Sequence, residues 1–269
     1  MSTTTFSEPA KKHLGQNFLH DRGVIDKIVQ ATNPQPGDAI VEIGPGQGAL
    51  TFPLLRKHGA LTAIEFDRDL HAPLQAAARE HGALRLIEGD VLGVDFSELA
   101  RELVGDGGQI RLVGNLPYNL SSPILFHALD HAPAIRDMHF MLQKEVVERM
   151  AAGPGSKVFG RLSVMLQAYC AVTPLFIVPP GAFKPAPKVD SAVVRLVPKP
   201  ADKVEVIDHR TFANVVRAAF GQRRKTLRNA LNGVADPARI EAAGLRADAR
   251  AEQVEVTGFV RLANLLAAG

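Results

Sequence analysis

An apolar run, Ile110 to Val113, leads into Asn115-Leu116-Pro117-Tyr118, a set of residue types suited to holding a flat ring that bears an amine. The exocyclic amine of adenine is a poor nucleophile because its lone pair is delocalised into the ring. The Asn115 side-chain carbonyl and the Leu116 backbone carbonyl could each accept one amine proton, biasing the nitrogen toward a tetrahedral, nucleophilic geometry. Tyr118 offers a face on which the base can stack, and Pro117 stiffens the turn that presents these groups. Four residues also make an ordinary turn, so their meaning depends on what precedes them.

What precedes them has the form of a nucleotide site. Ala39-Ile40-Val41-Glu42-Ile43 reads as a buried strand, followed by Gly44-Pro45-Gly46-Gln47-Gly48 and the apolar-periodic segment Ala49 to Leu55. In a strand, glycine turn and helix arrangement a ligand approaches the backbone closely and meets a helix N-terminus, and Gly44 and Gly46 are the positions for that approach. The spacing is G-x-G-x-G with an acid two residues before the first glycine, which departs from the dinucleotide fingerprint G-x-G-x-x-G. Glu42 beside the turn suits a cationic ligand better than a diphosphate, which favours S-adenosylmethionine over a nicotinamide cofactor.

Two more acids follow in phase. From Glu42 the steps are 23 residues to Glu65, 25 to Asp90 and 25 to Asn115, each long enough for one strand, one helix and two loops. The four polar residues therefore fall at the C-terminal ends of successive parallel strands, where open α/β sheets bind ligands. Glu65 is placed to accept both ribose hydroxyls, and Asp90 to accept from the cofactor's adenine amine.

The elements that must carry these residues fit a chain of 269 residues with 46% hydrophobic and 22% charged content, enough for one full α/β domain and a smaller one. Cys170 is the single cysteine, which excludes an intrachain disulfide and a cysteine-based metal cluster; no metal site is expected. No apolar run reaches membrane-spanning length and residues 1–10 lack a signal-type apolar region, so the expectation is a cytoplasmic protein. Charge is uneven: residues 199–269 carry 12 Lys and Arg against 8 Asp and Glu, leaving 19 against 20 for residues 1–198. The linker-like Val197-Pro198-Lys199-Pro200 marks the boundary. Beyond it, Phe212, Val215, Val216, Ala219 and Phe220, and later Phe259, Leu262, Ala263 and Leu266, recur at helical spacing. A small α-helical domain over 199–269 is expected. Its densest basic cluster, Arg223-Arg224-Lys225 with Arg217 and Arg228, suits a polyanionic partner. Lys11-Lys12-His13 is a second basic stretch.

The segment Val178 to Lys188 is too rich in proline for a helix or a central strand and reads as a rigid loop between Leu175-Phe176-Ile177 and the strand from Ser191. A rigid loop holding an aromatic makes a base-stacking platform, so Phe183 is a candidate to face the target adenine opposite Tyr118. Lys184 and Lys188 would then take flanking phosphates.

Gly15-Gln16-Asn17-Phe18-Leu19, Glu42-Ile43-Gly44-Pro45-Gly46, Asn115-Leu116-Pro117-Tyr118, Lys188-Val189-Asp190-Ser191-Ala192-Val193, Met138 to Glu145 and Gln222 to Thr226 together resemble the bacterial 16S ribosomal RNA adenine N6,N6-dimethyltransferases. The resemblance runs from about Lys12 nearly to the C-terminus. It implies transfer of four methyl groups from S-adenosylmethionine, with S-adenosylhomocysteine as product, to two adjacent adenosines near the 3′ end of small-subunit ribosomal RNA. The acceptor would be the ribosomal subunit or its precursor, and the enzyme a monomer. It implies cofactor contacts at Asn17, Leu19, Gly44, Glu65, Asp90 and Asn115, and a Rossmann-like methyltransferase domain over 1–198 with the strand from Ser191 inserted antiparallel. Two other readings stay open on the residues. A DNA adenine N6-methyltransferase uses a related turn but would need a target-recognition domain for which this chain has little room. A non-catalytic factor could bind cofactor and nucleic acid without reacting.

Overall fold

In a computed structural model of the chain, residues 8–11, 14–222 and 224–268 are described. They divide into two compact units, Met1–Val147 with Thr173–Pro198, and Glu148–Val172 with Lys199–Gly269. The sequence places a boundary after residue 198, and the second unit takes in Glu148–Val172 in addition to the residues beyond it.

The elements run β1 (Phe18–Leu19), α1 (Arg22–Thr32), β2 (Ala39–Ile43), α2 (Thr51–His58), β3 (Ala60–Glu65), α3 (Arg68–Ala78), β4 (Ala83–Glu88), α4 (Phe96–Val104), β5 (Ile110–Asn115), α5 (Ser121–Asp130) and β6 (Ile135–Gln143). They continue as α6 (Lys144–Ala151), α7 (Arg161–Tyr169), β7 (Cys170–Val178), β8 (Phe183–Lys184), β9 (Ser191–Pro198), α8 (His209–Gly221), α9 (Leu227–Ala230), α10 (Pro237–Ala242) and α11 (Val256–Ala267).

A seven-stranded sheet has the order β4-β3-β2-β5-β6-β9-β7. The pairs from β4 through β6 are parallel, while β9 runs antiparallel to β6 with Gln143 opposite Ser191 and Met138 opposite Leu196. This is the Rossmann-like α/β fold expected, including the inverted strand. The sheet's central strands β2 and β5 are almost continuously buried, as parallel strands covered on both faces must be. Helix starts are set locally: Asp21, Asp67 and Asp95 each accept a backbone N–H of the first turn they precede, satisfying donors that a helix cannot use internally.

Charge is buried at the start of the central strands. Arg111, the second residue of β5, donates to Asp137 at 2.9 Å and to Asp38 at 2.7 Å, so the guanidinium is matched by two carboxylates in a region where an unpaired charge would be costly.

A second, two-stranded sheet pairs β1 with β8 antiparallel, Phe18 opposite Lys184 and Leu19 opposite Phe183. The proline-rich segment, expected to be a rigid loop, thus contributes a two-residue strand that pairs with Phe18 and Leu19. In the second unit, Phe220 packs between Phe159 and Phe259, with ring centroids 6.0 and 5.5 Å away. Tyr169 meets Phe212 edge-on. Cys170 is buried, and burial pushes its thiol up to about 12, which keeps it a neutral thiol.

Candidate active site at the C-terminal edge of the sheet

One pocket of the first unit gathers Asn17, Leu19, Gly44, Gly46, Glu65, Asp90 and Asn115 through Tyr118. Glu65, Asp90 and Asn115 are residues that spacing placed at strand ends, Gly44 and Gly46 belong to the glycine turn, and Asn17 and Leu19 are positions that the family resemblance implied. Glu65 closes β3, Asn115 closes β5, and Asp90 follows β4 by two residues.

Glu65 is buried and already organises the site. Its two carboxylate oxygens accept from Gly46 N at 3.0 Å and from Asp67 N at 2.8 Å, which fixes the carboxyl plane and leaves further lone pairs for ligand hydroxyls. Burial raises its pKa, against those two backbone hydrogen bonds. Glu42 lies deeper, 2% exposed, with Oε2 accepting from the Thr51 hydroxyl at 2.6 Å. Burial, with Glu65 nearby, pushes Glu42 up to about 8. Glu42 and Glu65 are thus two buried carboxyl groups at one pocket, and among the described residues no basic side chain lines it.

The two loop glycines differ in purpose. Gly44 has φ +66°, and a side chain there would find only the Asn115 carbonyl, 4.0 Å away. The space beside it is open pocket, as close approach of a ligand requires. At Gly46, φ +56°, a Cβ would meet the Phe18 ring at 3.2 Å. Its N–H is given to Glu65, so Gly46 packs against the N-terminal segment while still lining the pocket.

The N-L-P-Y turn presents two oxygen acceptors without a partner among the described residues. Asn115 Nδ2 donates to the Asn17 carbonyl at 3.0 Å, so Oδ1 of the same amide faces away from that contact. Leu116 N donates to Met141 O at 3.1 Å, and its own carbonyl takes no hydrogen bond from another described residue. The Pro117 carbonyl accepts from Leu120 N at 3.0 Å and from the Ser121 hydroxyl at 3.1 Å, closing the turn onto α5. Tyr118 is half-buried, its hydroxyl 2.7 Å from Ser191 Oγ.

Not every expected residue faces the pocket. Phe183 is 3% exposed and packs in the apolar cluster with Leu19, Ile25 and Leu50. In the two-residue strand β8 alternation turns Phe183 inward and Lys184 outward, so its ring is a wall behind β1 and not an open stacking face. Lys184 and Lys188 are exposed. Asp90 is exposed and caps the following turn, Oδ1 accepting from Leu92 N at 3.0 Å, with the carboxylate still on the pocket rim. Arg224 and Lys225 are exposed in the second unit, where Lys225, Arg228 and Arg239 line one shallow groove. Arg223, Lys12 and His13 lie outside the described residues.

Three features escaped the sequence reading. Phe66, 61% exposed on the rim immediately after Glu65, is an aromatic face on the pocket; an apolar residue directly after a strand-end acid was the available signal. Lys11 bridges Asp67 and Asp69, and Gln16 donates to Asp67 at 2.8 Å, tying the N-terminal segment across the pocket. Ser191 meets Tyr118.

The residues fit S-adenosylmethionine: carboxyl groups at Glu65 and Asp90 that could accept from ribose and adenine donors, room at Gly44 for close approach, and no basic side chain among the described lining residues to oppose its positive charge. The chain matches the family described as ribosomal RNA adenine dimethylase over residues 8–268. It is 71% identical over 262 residues, 97% of this chain and 98% of the relative, to the ribosomal RNA small subunit methyltransferase A of Xanthomonas campestris pv. campestris. Among solved structures, it resembles a dimethyladenosine transferase from Plasmodium falciparum with TM-score 0.78 and 26% identity, covering 91% of this chain and 95% of that one. It also resembles the 23S rRNA methyltransferase ErmE with TM-score 0.70 and 26% identity, covering 93% and 100%. With its fold, its pocket and these relatives in agreement, the chain belongs to the ribosomal RNA adenine dimethylase family.

Proposed function

We propose that this enzyme dimethylates the N6 amines of two adjacent adenosines near the 3′ end of 16S rRNA, within the small ribosomal subunit or its precursor, as a step of subunit biogenesis. The reading carries with it a monomeric, cytoplasmic enzyme. The observation that supports it most directly is the pair of uncommitted acceptors, Asn115 Oδ1 and the Leu116 carbonyl, in the wall of the pocket that holds Glu65.

Bound S-adenosylmethionine supplies a methyl group activated by its positive sulfur. The protein supplies alignment. Asn115 Oδ1 and the Leu116 carbonyl each accept one proton of the adenine amine, so that its lone pair points along the line of attack. Tyr118 stacks on the base. After transfer the amine is cationic and acidic, and its proton leaves to water or to Asn115 Oδ1 without a strong base. Glu65 holds the ribose hydroxyls, Asp90 accepts from the cofactor's adenine amine, and Phe66 packs beside it. Asn17 and Leu19 close the pocket from the N-terminal segment. Exposed Lys184, Lys188, Arg224 and Lys225, with Arg223, are the groups for RNA phosphates.

The decisive experiment is mass spectrometry of small-subunit RNA from cells with and without the gene, with purified protein added back to unmethylated subunits. N6,N6-dimethyladenosine at two adjacent positions that depends on the gene is expected. Absence of the mark in both settings, or transfer to duplex DNA in preference to ribosomal RNA, would overturn the reading.

A further inference from the structure

The N-L-P-Y turn ends on an aromatic ring that is tied at its far end. The Tyr118 hydroxyl and Ser191 Oγ lie 2.7 Å apart across 73 residues of sequence, within the usual range for an O–H···O bond. Ser191 is fully buried and opens β9, where it stands opposite Gln143, the last residue of β6. One residue earlier the chain is held again, Lys144 N donating to the Asp190 carbonyl at 2.9 Å. Ser191 is therefore a point fixed by the sheet, and Tyr118 sits on a turn.

Stacking uses only the face of a ring, and phenylalanine would offer the same face. A hydroxyl is needed only if something must grip the ring by its edge. A tyrosine side chain turns about two torsions, and its plane is undetermined unless neighbours or a tether fix it. The acceptors at Asn115 and Leu116 sit on the same turn, so a base stacked on a tilted ring would present its amine away from them. Small errors of this kind cost large factors in rate. We propose that Ser191 is a positioning residue for methyl transfer. Its hydrogen bond to the Tyr118 hydroxyl sets the plane on which the acceptor base stacks, and so aims the amine at Asn115 Oδ1 and the Leu116 carbonyl. The inference rests on the stacking role given to Tyr118 above. Burial keeps the Tyr118 phenol above its ordinary pKa, so at neutral pH it retains the proton that this bond shares.

The test uses the full-length enzyme and S-adenosylmethionine with two ribosomal RNA acceptors: the unmodified one for methyl transfer, and one carrying 2-aminopurine, which has no N6 amine, at a target position for stacking fluorescence alone. Ser191→Ala and Tyr118→Phe each lower methyl transfer at saturating cofactor by roughly tenfold, the scale of one oriented hydrogen bond. The double variant loses no more than either single one, because both changes cut the same bond. Cofactor affinity stays at the wild-type value, and stacking-induced quenching of 2-aminopurine falls in all three. Losses that multiply, a loss in Ser191→Ala without one in Tyr118→Phe, or wild-type transfer in both overturn the inference. Tyr118→Ala separates it from the reading beneath it. If that variant is defective while Ser191→Ala and Tyr118→Phe are not, the stacking role stands and the tether fails; if Tyr118→Ala is also silent, the stacking role itself falls.

Discussion

The Asn115 side-chain amide donates to the Asn17 carbonyl at 3.0 Å, joining residues 98 apart in sequence. An amide has one donor end and one acceptor end, and a backbone carbonyl can only accept. Nδ2 must therefore face Asn17, and Oδ1 is turned away from it as an acceptor on the pocket wall. The N-terminal segment thereby orients the Asn115 amide.

For Asn115→Ala this arrangement implies a cofactor affinity within roughly tenfold of wild type and methyl transfer reduced by about a hundredfold or more, because the orienting bond matters most in the transition state. Single-turnover transfer of labelled methyl to unmethylated subunits measures it. A variant turning over near the wild-type rate would remove Asn115 from the mechanism.

Glu65→Ala should fail at cofactor binding instead. Losing a charged acceptor for ribose hydroxyls costs about 1.5–3 kcal/mol, and the variant also releases Gly46 N and Asp67 N, which Glu65 holds at 3.0 and 2.8 Å. Calorimetry with S-adenosylmethionine should register an affinity loss on the order of ten- to a hundredfold. Unchanged affinity would sink the ribose assignment.

The parts of this site that could be read from sequence were those written in local pattern. Parallel strands covered on both faces are continuous apolar runs, so Ala39–Ile43 was legible to the residue, and the acids after each run kept phase because each βα repeat has a similar length. The pairing of β1 with β8 brings Leu19 opposite Phe183 through two residues from each strand, with no local signal. Sequence alone could not tell that Phe183 would face the core. The Arg111, Asp38 and Asp137 cluster was equally silent, since each partner comes from a different element. Likewise α7 packs with α8 and α11, although linear composition puts its residues with the sheet.

Glu42 makes the stability of the cofactor-free protein depend on pH. Its carboxyl titrates near 4.5 when unfolded and at about 8 when folded, chiefly because it is buried. Between those values the folded state binds the extra proton. This contribution is fully present below about pH 4.5 and is lost as pH rises toward 8, by up to about tenfold in the folding equilibrium per pH unit. Glu65 is the charged neighbour that reinforces the shift, and Thr51 opposes it. Glu42→Gln, which can keep a bond to Thr51, should therefore gain stability relative to wild type on going from pH 5 to pH 8. Urea unfolding at both pH values decides; a difference that does not change with pH would mean that Glu42 is ionised in the folded protein.

The last prediction concerns the basic residues of the second unit. Replacing Arg223, Arg224 and Lys225 together with Ala should weaken binding to ribosomal RNA or the small subunit while leaving S-adenosylmethionine affinity unchanged. The pocket for the cofactor is lined wholly by residues of the first unit. Arg224 and Lys225 are exposed, and residues 199–269 carry 12 basic against 8 acidic side chains. Phosphate contacts release counterions, so each contact removed should flatten the salt dependence of binding by a slope of roughly 0.7 to 0.9. A solvated surface without a docking role predicts no change in affinity or in slope. Filter-binding titrations at several salt concentrations separate the two. If the triple variant binds subunits like wild type at every salt concentration, recognition must rest elsewhere. The exposed Lys184 and Lys188 beside the edge strand β8 are then the next charges to remove, and they predict the opposite pattern of loss: phosphate contacts close to the N-L-P-Y turn, whose removal raises the acceptor KM even for short RNA fragments.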